Sequence, residues 1–116
     1  MINEKFTEYI FNSIKENWDI NAFCDYGKDN FVKYSDVAKH ILKMHTIFKR
    51  MEIYKGDKIA LCGSNSANWA LTCLSIVSYG AVVVPILVDF SKEARAFART
   101  SLAKPEILSQ VIGFLL

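Results

Sequence analysis

The stretch GDKIALCGSNSANWALTCLSIVSYGAVVVPI, residues 56–86, falls largely within a run of thirty uncharged positions from Ile59 to Val88. Such a run can be a membrane span, a strand-turn-helix that binds a nucleotide, or the buried middle of an α/β domain. Thirty residues exceed the roughly twenty that cross a bilayer. However, Gly63, Asn65, Asn68, Gly80 and Pro85 interrupt the run where a strand-helix-strand unit would turn. Lys55-Gly56-Asp57-Lys58 has the composition of a turn, and Ile59 to Cys62 then reads as a short buried strand. Gly63, Ser64, Asn65 and Ser66 supply a second turn and a cap. Ala67 to Tyr79 is apolar almost all round, which predicts a helix buried on most of its surface, ended by Gly80. Val82, Val83 and Val84 before Pro85 and Ile86 predict a second buried strand that stops at the proline. A right-handed βαβ crossover accounts for the pattern better than a membrane span.

Upstream, Phe6, Tyr9, Ile10, Phe11 and Ile14 recur at helical spacing between charges, predicting an amphipathic helix over residues 4–17. Residues 21–34 read as a β-hairpin, with Gly27, Asp29 and Asn30 in its polar turn. Ser35 then reads as the N-cap of a helix over residues 35–52, with Asp36 at its positive end. Val37, Ile41, Met44, Phe48 and Met51 step along one face of that helix, and Lys39, Lys43, Thr46 and Lys49 along the other. The remaining predicted elements are strands at 58–62 and 81–86 and helices at 66–79 and 91–103. Together they make one incomplete α/β domain spanning residues 1–116.

At 116 residues, the chain is long enough for one small domain, and its 52% hydrophobic content with fifteen aromatics (eight Phe, five Tyr, two Trp) places it among globular proteins. A formal net charge of +2, with both signs interspersed, gives no basic stripe for nucleic acid. Three cysteines, Cys24, Cys62 and Cys73, form no CxxC pair and read as reduced thiols of a cytoplasmic protein. The amino-terminal MINEKFTEYI has no apolar core of the signal-peptide kind.

Chemistry is harder to find. His40 and His45 lie five apart, about 140° around a helix, so they do not share a metal ion, and His45 reads as a residue at the core edge. The turn Gly63-Ser64-Asn65-Ser66 precedes a positive helix end, where phosphates bind. Yet there is no GxGxxG and no GxxxxGK[ST], and a lone glycine before a capping serine is ordinary helix capping. Ser75 and Ser78 lie inside an apolar helix, and Asp57 and Asp89 read as turn residues. No residue is therefore assigned a catalytic, cofactor-binding or metal-ligating role.

FVKYSDVAKHI, GDKIALCGSNSANWA and SYGAVVVPI follow one another as in the AMP-forming acyl-CoA synthetases. The resemblance rests on four pieces in order. An aromatic residue leads through lysine to tyrosine and a capped helix (Phe31 to His40). A Gly-Asp-basic-apolar strand follows (Gly56 to Cys62), then an Asn-x-x-x-Trp helix start (Asn65 to Trp69) and a Gly-Ala-apolar-Pro strand (Gly80 to Pro85). Within that adenylate-forming superfamily the chain is most similar to the long-chain fatty acid CoA ligases.

The resemblance implies the fold class: the partial N-terminal subdomain of the adenylate-forming α/β fold, with a short β-hairpin and a βαβ unit in a mainly parallel sheet. It also implies a two-step reaction. A carboxylate attacks the α-phosphate of ATP to give an acyl-adenylate and pyrophosphate, and the CoA thiol then displaces AMP. ATP, magnesium and CoA would serve the complete enzyme. The family's phosphate loop, its adenine- and ribose-binding motifs and its C-terminal domain with the catalytic lysine are absent from these residues. This chain is thus expected to hold no cofactor and to be a structural part, not competent alone. The tail SKEARAFARTSLAKPEILSQVIGFLL departs from the family and ends in an apolar segment, Val111 to Leu116, that wants a partner surface. The expected partner is the remainder of a ligase. The alternative is a small non-enzymatic α/β module that homo-oligomerises through GAVVVPI and QVIGFLL.

Overall fold

The computed structural model describes residues 5–86 together with Lys92. Asp89, the helix expected over 91–103 (apart from Lys92, which is helical) and the apolar tail lie outside the described residues. The elements run α1 (Phe6–Glu16), β1 (Asn21–Phe23), β2 (Val32–Lys33), α2 (Tyr34–Arg50), β3 (Lys58–Cys62), α3 (Ala67–Tyr79) and β4 (Val82–Ile86). β1 and β2 pair antiparallel, β3 and β4 parallel, with α3 as the crossover between the parallel strands. The class is therefore α/β, with the hairpin and the βαβ unit in separate two-stranded sheets.

The uncharged run folds as it does because each interruption is used. Lys58 to Cys62 pair in register with Val82 to Ile86, placing Ile59, Leu61 and Val83 in one apolar cluster and Ala60, Cys62, Val84 and Ile86 in another. In the first cluster Ile59 and Leu61 meet Phe48 and Met44 of α2 and Ile76 of α3. Alternate strand residues thus feed opposite faces, as a pleated strand requires. α3 lies against α2, with Leu71, Thr72, Ser75 and Ile76 buried, and Asn68 is its one exposed residue. Its two innermost hydroxyls are satisfied within the helix, Thr72 Oγ1 donating to Asn68 O at 2.8 Å and Ser75 Oγ to Leu71 O at 2.7 Å. Such back-bonding lets a polar side chain sit in an apolar layer without an orphaned donor. At 13 residues α3 is also well short of a bilayer's thickness, and no helix among the described residues is long and apolar enough to cross a membrane.

Several expectations need correction. β4 is not buried along its length: Val82 and Pro85 are exposed and Val83 and Val84 half-buried. Pro85 lies within the strand opposite Leu61, and the strand runs to Ile86. Among the described residues β4 has one partner strand, and an edge strand tolerates a proline whose missing N–H costs no ladder bond.

Ser35 is not the cap of α2. The helix starts one residue earlier, at Tyr34, and Ser35 is buried inside its first turn. The Asp36 carboxylate does the capping, accepting the backbone N–H of Lys33 at 3.1 Å. A carboxylate at N3 that reaches back to the N-cap amide is half of a capping box, and it sets the start independently of the serine.

α1 buries Ile10 and Ile14, whereas Phe6, Tyr9 and Phe11 are exposed. Its apolar stripe is wider than its contact with the rest of the chain. An open apolar groove of about 250 Å³ runs beside it, lined by Phe6, Tyr9, Ile14, Phe23, Tyr34 and Leu74 among others.

Candidate functional site

The loop between β3 and α3 is where an α/β unit would hold a phosphate, and its donors can be followed one by one. Ser66 is the N-cap of α3, in extended conformation, and its Oγ accepts the N–H of Trp69 at 3.2 Å. Its carbonyl accepts the N–H of Ala70 at 3.1 Å. The N–H of Ala67, the first helical residue, donates to Asp25 Oδ1 at 2.7 Å. Of the amides that a helix start leaves unpaired, N1 and N3 are thus both taken from within the chain. Gly63 is not demanded by close approach, because an added Cβ would meet Trp69 Cδ1 at an ordinary 3.6 Å. The serine cap was legible in the sequence. Asp25 was not, since it comes from the hairpin loop 42 residues upstream.

The Asp25 carboxyl is held below its ordinary range first by the Ala67 N–H, then by the Asn30 side chain, with a smaller contribution from the Lys28 charge that acts against some burial. Asp57 is a turn residue: its Oδ2 accepts the N–H of Tyr54 at 2.8 Å.

The histidines are brought to no common site. His45 Nε2 lies 3.1 Å from Ser75 O and 3.0 Å from Ser78 Oγ, and its ring stands 5.2 Å from that of Tyr79. A carbonyl only accepts, so the proton sits on Nε2 and His45 donates into the gap between α2 and α3. His40 Nε2 is buried without a hydrogen-bond partner among the described residues. Burial is the main cause lowering both histidines below the ordinary value of 6.5, with Lys43 adding to it at His40. At His45 the bond to Ser75 O opposes the shift and Lys49 adds to it.

A depressed histidine favours the neutral form in the folded state. Its stabilising effect is therefore complete above the unfolded value and is lost as pH falls through the folded one. We expect the guanidinium midpoint to drop between pH 7 and pH 5, and His45→Gln, which keeps a donor for Ser75 O, to make that drop shallower. Equal slopes for the two proteins would refute the role given to His45.

Among the described residues no three His, Cys, Asp or Glu side chains gather as metal ligands. The cysteines are free. Burial pushes the Cys73 thiol up, away from nucleophilic use, and Cys24 donates its S–H to Lys28 O at 2.9 Å. Ser78, half-buried, lies 3.0 Å from His45 Nε2 but donates to Ser75 O at 3.2 Å, and Ser75 Oγ donates to Leu71 O, so neither hydroxyl proton is directed at a base. The described residues hold a capped helix end and no assembled chemistry.

No curated protein matches the chain. Solved structures do. The luciferase-like enzyme of the nonluminescent mealworm Zophobas morio superposes with a TM-score of 0.75 at 19% identity, over 86% of this chain and 24% of that one. The N-terminal subdomain of Klebsiella oxytoca NpsA gives 0.67 at 20% identity, over 81% of this chain and 24% of that one. Holo-AB3403, a four-domain nonribosomal peptide synthetase bound to AMP and glycine, gives 0.74 at 22% identity over 86% of this chain and 7% of that one. At such identities the likeness is one of fold, and the chain spans about a quarter or less of each of these relatives. The sequence itself carries the assignment further: the family model for AMP-binding enzymes matches residues 10–104, and the chain belongs to that family.

Proposed function

We propose that this chain is the amino-terminal structural part of an adenylate-forming ligase of the acyl-CoA synthetase type, and an incomplete domain by itself. The observation that carries the reading is the match of the AMP-binding family to residues 10–104 in a chain that spans only 24% of the first relatives compared. The support for the acyl-CoA branch is the resemblance of the four pieces in order from Phe31 to Pro85 to the acyl-CoA synthetases. In the complete protein the reaction would join a fatty carboxylate to CoA through an acyl-adenylate, using ATP and magnesium in the cytoplasm.

The residues described here do not fit the ATP phosphates or the metal ion. The helix end that could receive a phosphate carries the chain's own carboxylate, Asp25, and no acidic cluster is present among the described residues. No step is therefore assigned to them. Their contribution is a packed βαβ unit and a hairpin onto which the remaining protein builds.

The test is an immunoblot of source cells with antibody against this chain, followed by assay of the captured protein with fatty acid, ATP, magnesium and CoA. A species several times larger than 13.2 kDa that forms acyl-CoA is the expected result. Adenylate formation without CoA-dependent thioester would overturn the acyl-CoA branch. A lone 13.2 kDa species would overturn the reading as a part of a larger ligase and favour the self-associating module.

A further inference from the structure

The loop that joins β1 to β2 is exposed along nearly its whole length, with Tyr26, Gly27, Lys28, Asp29 and Asn30 all open to solvent. No apolar packing holds such a loop in place. Its order comes from polar contacts centred on Asp25. Asn30 Nδ2 donates to Asp25 Oδ2 at 2.8 Å, Asp25 N donates to Asn30 Oδ1 at 3.3 Å, and Lys28 N donates to Asp25 O at 3.1 Å. This reciprocal Asp-Asn pair fixes the plane of the carboxylate and leaves Oδ1 free. Oδ1 is the atom that meets Ala67 N, at 2.7 Å, on the first residue of α3.

We propose that Asp25 is an internal anion latch: its carboxylate occupies the positive end of α3, ties the hairpin loop to the βαβ unit and closes that helix end to outside anions. The two parts so joined belong to separate sheets, so no strand pairing fixes the loop against the turn between β3 and α3. A charged acceptor at the N-terminus of a 13-residue helix gains from both the unpaired amide and the helix dipole. An approaching phosphate would meet a fixed negative charge on the amide it needs. Asp25 is thus a positioning residue with two contacts, its Oδ2 held by Asn30 inside the loop and its Oδ1 tied to the Ala67 amide of α3.

That donor can be deleted cleanly. Ala67 is at N1 of α3, and proline is well accepted at N1, where its missing N–H is not part of the helical ladder. Ser66, which would precede the new proline, already has the extended φ of −158° and ψ of 169° that a following proline prefers.

The experiment uses the full chain, as wild type, Asp25→Ala, Ala67→Pro and the double variant. Amide exchange in Asp25→Ala should speed at Ala67 by about fivefold, the scale of a lost cap, and stay unchanged at Trp69, whose partner is Ser66 Oγ. Trypsin cleavage after Lys28 should rise in Ala67→Pro, which removes only the tie to α3, and rise further in Asp25→Ala, which also removes the bond from Asn30, with the double variant cleaved no faster than Asp25→Ala. Unchanged exchange at Ala67 in Asp25→Ala would overturn the latch. So would a double variant cleaved faster than Asp25→Ala, because the Ala67 change would then loosen the loop by a route other than the Asp25 carboxylate. The unaltered Trp69 amide guards against general unfolding as the cause.

Discussion

Phe48→Ala is expected to lower the unfolding free energy by about 3–5 kcal/mol, the range for removing a large aromatic from a well-packed core. Phe48 is 0% exposed. It joins α2 to everything else in the main cluster: Met44 and Ile53 from its own side, Ile59 and Leu61 from β3, Ile76 from α3. Its ring also meets Tyr79 edge to face, with centroids 5.3 Å apart. Truncation leaves a void bounded by a helix on one side and a strand on the other, and neither can collapse into it without breaking its hydrogen bonds. A domain of this size has a total stability of roughly 5–15 kcal/mol, so the loss removes a large share of it. Guanidinium denaturation followed by tryptophan fluorescence reads the effect, since Trp69 packs against the same cluster. Phe48→Leu, which keeps most of the volume, should cost only about 1 kcal/mol. A midpoint for Phe48→Ala within error of wild type would mean that α2 does not pack on the sheet as described.

How far the sequence discloses this structure depends on the range of the interaction concerned. The βαβ unit was legible because its signals are local: Gly56 and Asp57 turn the chain, Ser66 caps α3, and Gly80 ends it in left-handed conformation with φ of 92°. The start of α2 was misplaced by one residue because two local caps competed, and Asp36 at N3 prevailed over Ser35. α1 shows a different limit. Periodicity says which residues share a face, but the width of the buried stripe is set by what lies opposite, and Phe6, Tyr9 and Phe11 have no cover among the described elements adequate to bury them. The candidate anion site shows the limit most plainly. The turn of Gly63 to Ser66 can be read from four adjacent residues, whereas its occupant, Asp25, sits 42 residues away in a loop with no periodicity to point across the fold. His45 was placed at the core edge from its position in α2, yet its partners, Ser75 and Ser78, come from α3.

Gly80→Val should destabilise by about 2 kcal/mol, because left-handed backbone costs an L-residue about 1–2 kcal/mol and a β-branched side chain sits at the upper end. The position is held from several sides. Gly80 donates its N–H to Val77 O at 3.1 Å to end α3, and its carbonyl accepts Gly56 N at 2.9 Å. Next to it, Val82 N donates to Asp57 O at 2.8 Å as β4 begins. These bonds tie the end of α3 to the turn before β3, so the chain cannot relax to a negative φ without losing the alignment of β4 on β3. A second effect is steric: a Cβ at Gly80 would approach Lys55 Cγ to 3.1 Å. The lysine stem is flexible and yields by a few tenths of an ångström, so backbone conformation accounts for most of the loss. Gly80→Asn separates the two effects, since asparagine has the same Cβ but tolerates the left-handed region. It should lose about 1 kcal/mol, roughly half the valine cost, when both variants are compared by denaturant titration. Equal losses for valine and asparagine would shift the cause to the contact with Lys55, and Lys55→Ala in the Gly80→Asn background would then restore stability.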